Sequence, residues 1–422
     1  MSPSGDQQPI VNDLADHLFR HESGKMVSVL TGIYGLRNLQ LAEDVVQEAM
    51  IRALRTWPTG GIPPNPNAWL LQTAKNLAID HLRREKNFQS KQAQIAATIP
   101  DIHSPDIDPE KVHDDQLRLM FVCCHPLLPP ETQSALALKT LCGFNPAEIA
   151  KAFLISEAAV AKRLSRARAK IQQENIPFEI PDTNLLPERL DGVLKILYLL
   201  FNEGYKASYG DTILRPELCE ESARLATILS RHPAGDRPRT HALLAMIHLT
   251  AARFPSRMGT SGIPVQLKDQ DRNSWDKKSI AKGLYHLDRS ASGNELSEYH
   301  FLAGIASCHS LADSYENTNW RRILALYDGL NELLPSALVR LNRAIVISEI
   351  YGCEKALSEI EQSDIPVSLA NYHLMHAVLG ELEMQRKQSD NAARHFSRAL
   401  ELAETTPERL FLAKRLKECS SH

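Results

Sequence analysis

The chain lacks the features that mark secreted, membrane-spanning and strand-rich proteins. Its 422 residues include seven cysteines, an odd number without a CxxC pair, which argues against a disulfide framework and agrees with a reducing compartment. The longest apolar runs, such as VLKILYLLF at 193–201, are far shorter than the ~20 residues of a membrane span. The N-terminus has neither the basic start nor the apolar stretch of a secretory signal. These absences predict a cytoplasmic protein that does not contact the membrane.

The familiar catalytic motifs are also missing. The sequence has no glycine loop that would cradle a phosphate, no HExxH helix and no Ser/His/Asp order. Glu203, Asp269 and Asp271 lie in the polar segments FNEGY and DQDRNSWD and are the acid or base candidates. We interpret these segments as hydrogen-bonded groups that fix helix junctions, or as the lining of a ligand pocket. We therefore expect neither enzymatic activity nor a cofactor.

One cysteine pair invites a metal or redox interpretation. Cys123 and Cys124 are adjacent and precede His125. Adjacent helical residues point ~100° apart, and no second ligand pair with zinc-like spacing follows. The pattern favours small buried side chains, and we expect no metal site.

The composition that remains is typical of an all-α protein. Aromatic residues make up 6% of the chain, and segments with a period of 3.6 residues alternate with Pro, Gly and Asn/Asp/Ser breaks. Residues 98–115 carry six acids against one lysine and predict a solvated linker. We predict four regions: residues 10–90, an acidic flexible linker at 91–115, a second helical domain at 116–175, and a C-terminal helical domain at 188–422.

The C-terminal region contains a weak repeat. Gly380, Ala392, Phe396 and Ala399 occupy the small and aromatic positions that let paired helices of the tetratricopeptide type pack closely. Ile323 precedes Ala356 by 33 residues, and Ala356 precedes Ala392 by 36. This predicts tetratricopeptide-like helix pairs from about residue 300, with generic amphipathic helices as the alternative.

The segment 147–172 predicts a helix-turn-helix. A short helix ends before the turn LIS, and Ser156 is a good N-cap for the helix that follows. In that second helix the apolar stripe is Val160, Leu164, Ala167 and Ile171. The polar side chains expected on the exposed side are Lys162, Arg163, Ser165, Arg166 and Arg168. A basic second helix after a short turn is typical of major-groove recognition.

This segment, with the LPPETQSALALKTL that precedes it, resembles region 4 of an extracytoplasmic-function (ECF) sigma factor. Upstream, AEDVVQEAMIRALRTW at 42–57 and NAWLLQTAKNLAIDHLRRE at 67–85 resemble region 2 of the same family. The resemblance implies that core RNA polymerase and promoter DNA are the partners. It also implies that region 4 reads −35 DNA through Ser156 and the five polar side chains of the basic helix, and that it meets the beta flap.

Region 2 residues acquire roles by the same resemblance. Asp44, Gln47 and Glu48 share one side of a helix whose other side is Val45, Ala49 and Leu54, and they are expected to bind the coiled coil of the beta-prime clamp. The residues expected to form the −10 DNA surface are Trp69, Lys75, Asn76, Asp80, Arg83 and Arg84. Asp80 has a second interpretation, orienting Arg83 or Arg84 by a short helical pair. The acidic linker is either a simple tether or a chain that threads polymerase near the RNA path.

The C-terminal region departs from minimal members of the family. Its stretches LYLLFNEGYKAS, KDQDRNSWD and NTNWRRILALYDGL resemble the fused extension of one sigma subgroup. We expect a regulatory domain with a protein or peptide partner. Two alternatives remain: a one-component helix-turn-helix regulator with a ligand- or protein-sensing domain, and an interaction scaffold, which leaves the first 175 residues unexplained.

Overall fold

The computed structural model describes residues 22–90, 109–153, 155–206, 213–259 and 262–420. The fold in these ranges is all-α, as predicted, with no β-strand and a single antiparallel bridge between Met258 and Pro264. The chain divides into unit 1, residues 1–199, and unit 2, residues 200–422. None of the helices in the described ranges is long and apolar enough to cross a membrane.

Unit 1 begins with three helices. Helix α1 covers residues 22–34, α2 covers Leu39–Gly60 and α3 covers Pro66–Ser90. Helix α2 continues through Pro58 and ends where Gly61 adopts a φ of 82°, a conformation that glycine enters without steric cost. The indole rings of Trp57 and Trp69 meet edge to face with centroids 5.6 Å apart and close this end of the bundle.

Four further helices follow the acidic segment. They are α4 at Pro109–Cys123, α5 at Pro130–Leu141, α6 at Pro146–Phe153 and α7 at Glu157–Gln173. The predicted linker is therefore too long at its C-terminal end, since residues 109–115 are helical and Asp115 is buried. The buried Asp115 carboxylate forms an ion pair of 3.0 Å with Arg118 one helical turn later, which offsets part of the cost of its burial. The rest of the predicted linker lies outside the described residues.

The two helical groups of unit 1 pack directly on each other. A Cβ atom added to Gly24 in α1 would lie 2.0 Å from the carbonyl oxygen of Leu141 in α5, so only glycine permits this approach. The Arg37 guanidinium donates a hydrogen bond of 2.7 Å to the side-chain oxygen of Asn175. Gln172 donates another, of 3.1 Å, to the carbonyl of Arg37. Unit 1 is thus one packed body in which the two groups share an interface.

Helix α8 covers Leu186–Tyr205 and contains the division between the units. The sequence places the boundary at Glu188, but the first part of α8 belongs to unit 1. Arg189 donates a hydrogen bond to the carbonyl of Phe121, and a Cβ atom on Gly192 would contact the Cβ of Cys124 at 3.3 Å. Leu190 and Leu194 are buried in the same region. The structural division between the units therefore lies within α8, and the start of a C-terminal domain at residue 188 stays a prediction.

Unit 2 is built from a succession of helices. The helices of its first half are α9 at Pro216–Arg231, α10 at Pro238–Ala251, α11 at Phe254–Arg257, α12 at Lys277–Ser290 and α13 at Glu298–Leu311. Its second half consists of α14 at Trp320–Leu333, α15 at Ala337–Tyr351, α16 at Cys353–Glu361, α17 at Ile365–Ser368, α18 at His373–Gln385, α19 at Ser389–Leu402 and α20 at Thr406–Cys419.

The predicted repeat positions lie in the core of unit 2. Ile323, Ala356 and Ala392 are fully buried in α14, α16 and α19 respectively. A Cβ atom on Gly380 would lie 2.8 Å from the ring of Phe396, which places α18 close against α19. These positions support a repeated helix pair, and the tetratricopeptide-like designation itself stays a prediction.

Candidate nucleic-acid interface

The predicted helix-turn-helix forms from α6 and α7. Asn145 and Glu148 cap the start of α6 reciprocally, each backbone N–H donating to the other side chain at 2.9 Å. At the start of α7, the Ser156 hydroxyl accepts a hydrogen bond of 3.2 Å from the N–H of Ala159, as predicted for an N-cap. The predicted stripe of Val160, Leu164, Ala167 and Ile171 is buried. Local capping and apolar spacing together fix the orientation of α7.

The opposite side of α7 is basic and open. Lys162, Ser165 and Arg166 are exposed, and Arg163 is half-buried. Within the described part of the chain, neither Lys162 nor either of these arginines has a carboxylate in ion-pair distance. Three cations on one surface without internal partners leave their charge for an external anion, as a phosphate-contacting helix requires.

Arg168 does not share this surface, so its expected place on the exposed side is wrong. Its guanidinium forms an ion pair with Glu43 of α2, whose carboxylate is 4% exposed. Burial raises the pKa of Glu43, and the neighbouring charges of Arg168 and Lys139 oppose that rise. Arg168 falls on the side of α7 that faces the first helical group, and there it joins the two groups of unit 1.

On α3 most of the predicted DNA-contact residues are exposed. Asn76, Asp80, Arg83 and Arg84 face solvent, and Asn76 accepts a hydrogen bond of 3.0 Å from Gln72. The second interpretation of Asp80 is not supported, because no ion pair to either arginine occurs among the described residues. The guanidiniums of Arg83 and Arg84 therefore stay available on the surface.

Two residues of the predicted −10 set are less accessible. Trp69 is half-buried beside Trp57. Lys75 is 8% exposed, and its expected availability to DNA is wrong for this conformation. Lys75 lies on the same helical face as Leu71, Ala74 and Ala78, which are buried. Its position in the helix therefore places its side chain towards the core.

Helix α2 presents a mixed acidic and apolar stripe. Asp44 is exposed, and Gln47 and Glu48 are partly exposed. The next positions on the same face are Ile51 and Leu54, with exposures of 42% and 40%. Leu54 was expected on the buried side, which is wrong, and Ile51 was not predicted at all. Ile51 follows Gln47 by four residues and Glu48 by three, and Leu54 follows Ile51 by three. This helical spacing is the signal that could have found them.

Two of the three acid and base candidates of unit 2, Glu203 and Asp271, have structural partners, and the third, Asp269, is exposed. Glu203 forms an ion pair of 3.3 Å with Arg215, and the Asp271 carboxylate caps a short 3-10 turn by accepting from the N–H of Asn273 at 3.0 Å. Cys123 and Cys124 are buried as predicted, and burial raises the pKa of the Cys123 thiol to about 12. In the described ranges no group of three His, Cys, Asp or Glu side chains is placed to hold a metal ion.

The geometry thus defines a class: an all-helical protein with a capped helix-turn-helix, a basic recognition face and a second basic surface on α3. Comparison with known proteins supplies the family. A model of sigma-70 region 2 matches residues 18–88, and a model of sigma-70 region 4 matches residues 118–171. A family of unknown function (DUF6596) matches residues 189–291. The chain belongs to the ECF-type sigma factors that carry a C-terminal extension, and core RNA polymerase and promoter DNA are the partners that this family implies.

Individual relatives agree with this assignment. An uncharacterized protein, R00370, of Rhizobium meliloti is 38% identical over 90% of this chain and 90% of its own. The probable RNA polymerase sigma factor RfaY of Xanthomonas campestris is 31% identical over 33% of this chain and 35% of its own. The ECF RNA polymerase sigma factor SigG of Mycobacterium tuberculosis is 25% identical over 40% of this chain and 47% of its own. The chain thus spans less than half of the two named sigma factors. No solved structure matches.

Proposed function

We propose that unit 1 directs polymerase to promoters through three separate surfaces. The stripe on α2 binds the beta-prime clamp, the exposed end of α3 holds −10 DNA, and the basic face of α7 reads −35 DNA. The observation that carries the proposal is the segregation of charge within unit 1. Acids and apolar side chains share the stripe on α2, where Arg52 pairs with Glu48 at 3.2 Å, whereas cations without an ion-pair partner in the described chain share α7 and the end of α3.

The α2 stripe suits a protein partner better than a nucleic acid. Asp44 and Glu48 would repel phosphates, and Ile51 and Leu54 expose apolar area that a partner could remove from water. A basic helical surface with apolar positions is complementary to such a stripe. We propose that the clamp coiled coil supplies it, and that Ile51 and Leu54 are the anchoring contacts.

Charge reversal tests this assignment. In the full-length protein, Asp44→Lys with Glu48→Lys should weaken binding to core polymerase at least tenfold, because two attractive contacts become repulsive. Ile51→Asp should weaken it through the apolar contact alone. Glu404→Lys, an exposed acid of unit 2, is the control and should bind core as the unaltered protein does. If the unaltered protein never associates with core enzyme, the proposal fails.

The DNA surfaces follow from exposure and charge. On α7 we assign Lys162, Arg163, Ser165 and Arg166 to −35 DNA, with the N-cap Ser156 beside the phosphate backbone. On α3 we assign Asn76 to base edges and Arg83 and Arg84 to the backbone of the opened strand. Arg168 and Lys75 would join these surfaces only after leaving the contacts described above. The beta flap as a partner of region 4 rests on the family resemblance alone.

We propose that unit 2 regulates the sigma activity and acts by binding rather than by catalysis. It contains a cavity of about 530 Å³ whose lining includes Tyr315, Ile345, Tyr372 and Phe411. This volume lies within the range of sites that bury a small molecule or an anchoring side chain of a peptide. We expect unit 2 to be required for full activity, with a protein or peptide as its partner, and we expect the protein to act in the cytoplasm.

A truncated protein without unit 2 tests the regulatory role of that unit. The truncation must leave all helices of unit 1 intact. Ending the chain at Asn184 would remove the part of α8 that packs in unit 1, so the informative variant ends after Lys206. We expect it to keep binding core enzyme but to lose promoter-dependent transcription. Far-UV circular dichroism and a cooperative melt check that unit 1 is folded. If the truncated protein matches the full-length one in promoter choice, output and response to conditions, unit 2 is a separate binding module.

The alternative, a one-component regulator that senses a ligand, is favoured by the cavity in unit 2. Such a regulator needs no polymerase-binding helix, and the match of residues 18–88 to sigma-70 region 2 counts against it. Transcription start sites mapped with purified protein and core enzyme separate the two. A sigma factor supports initiation by core enzyme alone, whereas a regulator has no effect without another sigma factor.

A further inference from the structure

Three arginines of unit 2 converge on two aromatic rings. Arg253 follows α10, Arg257 ends α11 and Arg272 begins a 3-10 turn. The guanidinium carbon of Arg257 lies 3.5 Å from the centroid of the Tyr205 ring, and that of Arg272 lies 4.9 Å from the Trp275 ring. Arg253 lies 5.9 Å from both rings. We call these three residues the arginine cluster.

The three arginines of the cluster use different numbers of their hydrogen-bond donors. Arg272 donates to the carbonyls of His309 and Ala312 at the end of α13 and to the Thr318 hydroxyl at 3.2 Å, so its donors are largely used. Arg257 donates once, at 2.6 Å, to the carbonyl of Tyr205, and Arg253 donates once, to the Tyr205 hydroxyl.

Both of these arginines therefore have donors to spare. The Nε of Arg253 is buried without a hydrogen-bond partner. This Arg253 donor lies where water is excluded, which is where an unpaired donor costs most.

Two carboxylates act on the arginine cluster from nearby without forming an ion pair with it, Glu316 on Arg272 and Glu408 on Arg257. Within the described residues no ion pair involves Arg253, Arg257 or Arg272. The nearby acid, Glu408, already contacts Lys206 at 3.3 Å and His373 at 3.0 Å. Burial lowers the pKa of Arg257, and Tyr205 and Glu408 oppose that effect while Arg253 adds to it. Lys206 brings a fourth cation to the same region.

Buried charges in proteins are ordinarily paired, because an unpaired ion forfeits its hydration without compensation. The two rings and the end of α13 offset part of this cost, chiefly for Arg272. We propose that Arg253 and Arg257 form a binding site for a phosphate group, from free phosphate or a phosphomonoester. Guanidinium forks match phosphate oxygens in pairs, and two forks beside one another give a divalent oxyanion the charge it needs. This site is independent of the transcriptional role of unit 1.

Calorimetric titration of the full-length protein tests the site. The probes are inorganic phosphate and glycerol 3-phosphate, each at ionic strength matched with chloride. We expect saturable binding at one site, weakened at least tenfold in Arg253→Gln and in Arg257→Gln. Arg409→Gln removes an exposed charge from α20 and should leave binding unchanged. Tighter binding of one probe identifies the source of the phosphate group.

The basic face of α7 could also bind phosphate. The double variant Lys162→Gln with Arg166→Gln removes two charges from that face and tests this alternative. Absence of saturable binding, or binding lost in this variant and kept in Arg253→Gln, would overturn the proposal. Should the cluster variants fold poorly, Trp275 fluorescence provides a second test in the otherwise unaltered chain. Phosphate should change the emission, and this change should disappear in Trp275→Phe while the heat of binding persists. An emission change that survives in Trp275→Phe places the phosphate elsewhere.

Discussion

Arg166 and Arg168 lie two residues apart on one helix and meet opposite surroundings. Arg166 is exposed and unpaired within the described chain, whereas Arg168 is paired with the buried Glu43. The pair is incompletely satisfied, since Glu43 Oε1 and Arg168 Nε have no hydrogen-bond partner. Removing one member of such a pair leaves a buried charge without compensation. Arg168 therefore supports the fold, whereas Arg166 is available to bind DNA.

We expect Arg168→Gln to lower the free energy of unfolding by roughly 3 kcal/mol, the lower end for a broken buried ion pair. Arg166→Gln, the control, should change it by less than ~0.5 kcal/mol. Urea unfolding at pH 7 measures both. Because burial raises the pKa of Glu43, the folded state binds its proton more tightly than the unfolded state. The stability of Arg168→Gln should therefore rise as the pH falls towards that pKa, and Glu43→Gln should rescue it.

Helix α7 joins capping, packing and charge in one element. Its N-cap and apolar stripe fix which side faces outward, and the outward side carries Lys162 and Arg166. Each phosphate contact releases counterions, so the dependence of binding on salt reports the number of contacts. The number of phosphate contacts made by α7 can therefore be measured from the salt dependence of DNA binding.

We expect Lys162→Ala and Arg166→Ala each to weaken binding of the polymerase holoenzyme to promoter DNA. A phosphate contact should lower the salt slope by about one unit, and a base contact should cost about 1 to 3 kcal/mol at the affected position. Fluorescence anisotropy over a salt series measures both quantities, with Arg409→Ala as control. Unchanged affinity and slope in both α7 variants would locate −35 recognition on another element.

At the scale of the whole molecule the two units differ in their buried ionisable groups. In unit 2 burial lowers the pKa values of His248 and His286 to about 4 and that of His309 to about 3. In unit 1 burial raises the pKa of Glu43 and lowers that of the half-buried His125. Unfolded histidines bind protons near pH 6.5, above the folded values, so unit 2 loses stability as the pH falls through that window.

We expect unit 2 to unfold at lower urea concentration at pH 5 than at pH 7, with a smaller change for unit 1. The four tryptophans separate the signals, because Trp57 and Trp69 belong to unit 1 and Trp275 and Trp320 to unit 2. Unfolding followed by fluorescence in Trp57→Phe/Trp69→Phe and in Trp275→Phe/Trp320→Phe gives each midpoint. A larger acid shift in the unit 1 midpoint would contradict the assignment.

The sequence alone predicts the helical class, the cap at Ser156, the stripe from Val160 to Ile171 and the apolar positions Ile323, Ala356 and Ala392, which are buried. These depend on local hydrogen bonds and on helical periodicity, which are encoded within a few residues. Tertiary structure decided the position of Arg168, the burial of Lys75, the exposure of Ile51 and Leu54, and the arginine cluster. Arg168 and the arginine cluster depend on residues far apart in the chain, such as Glu43 and Arg168, whose approach is set by the packing of whole helices and leaves no periodic signal. For Ile51, Leu54 and Lys75 the helical spacing carries a signal, but only the packing of α2 and α3 decides which face of each helix is covered.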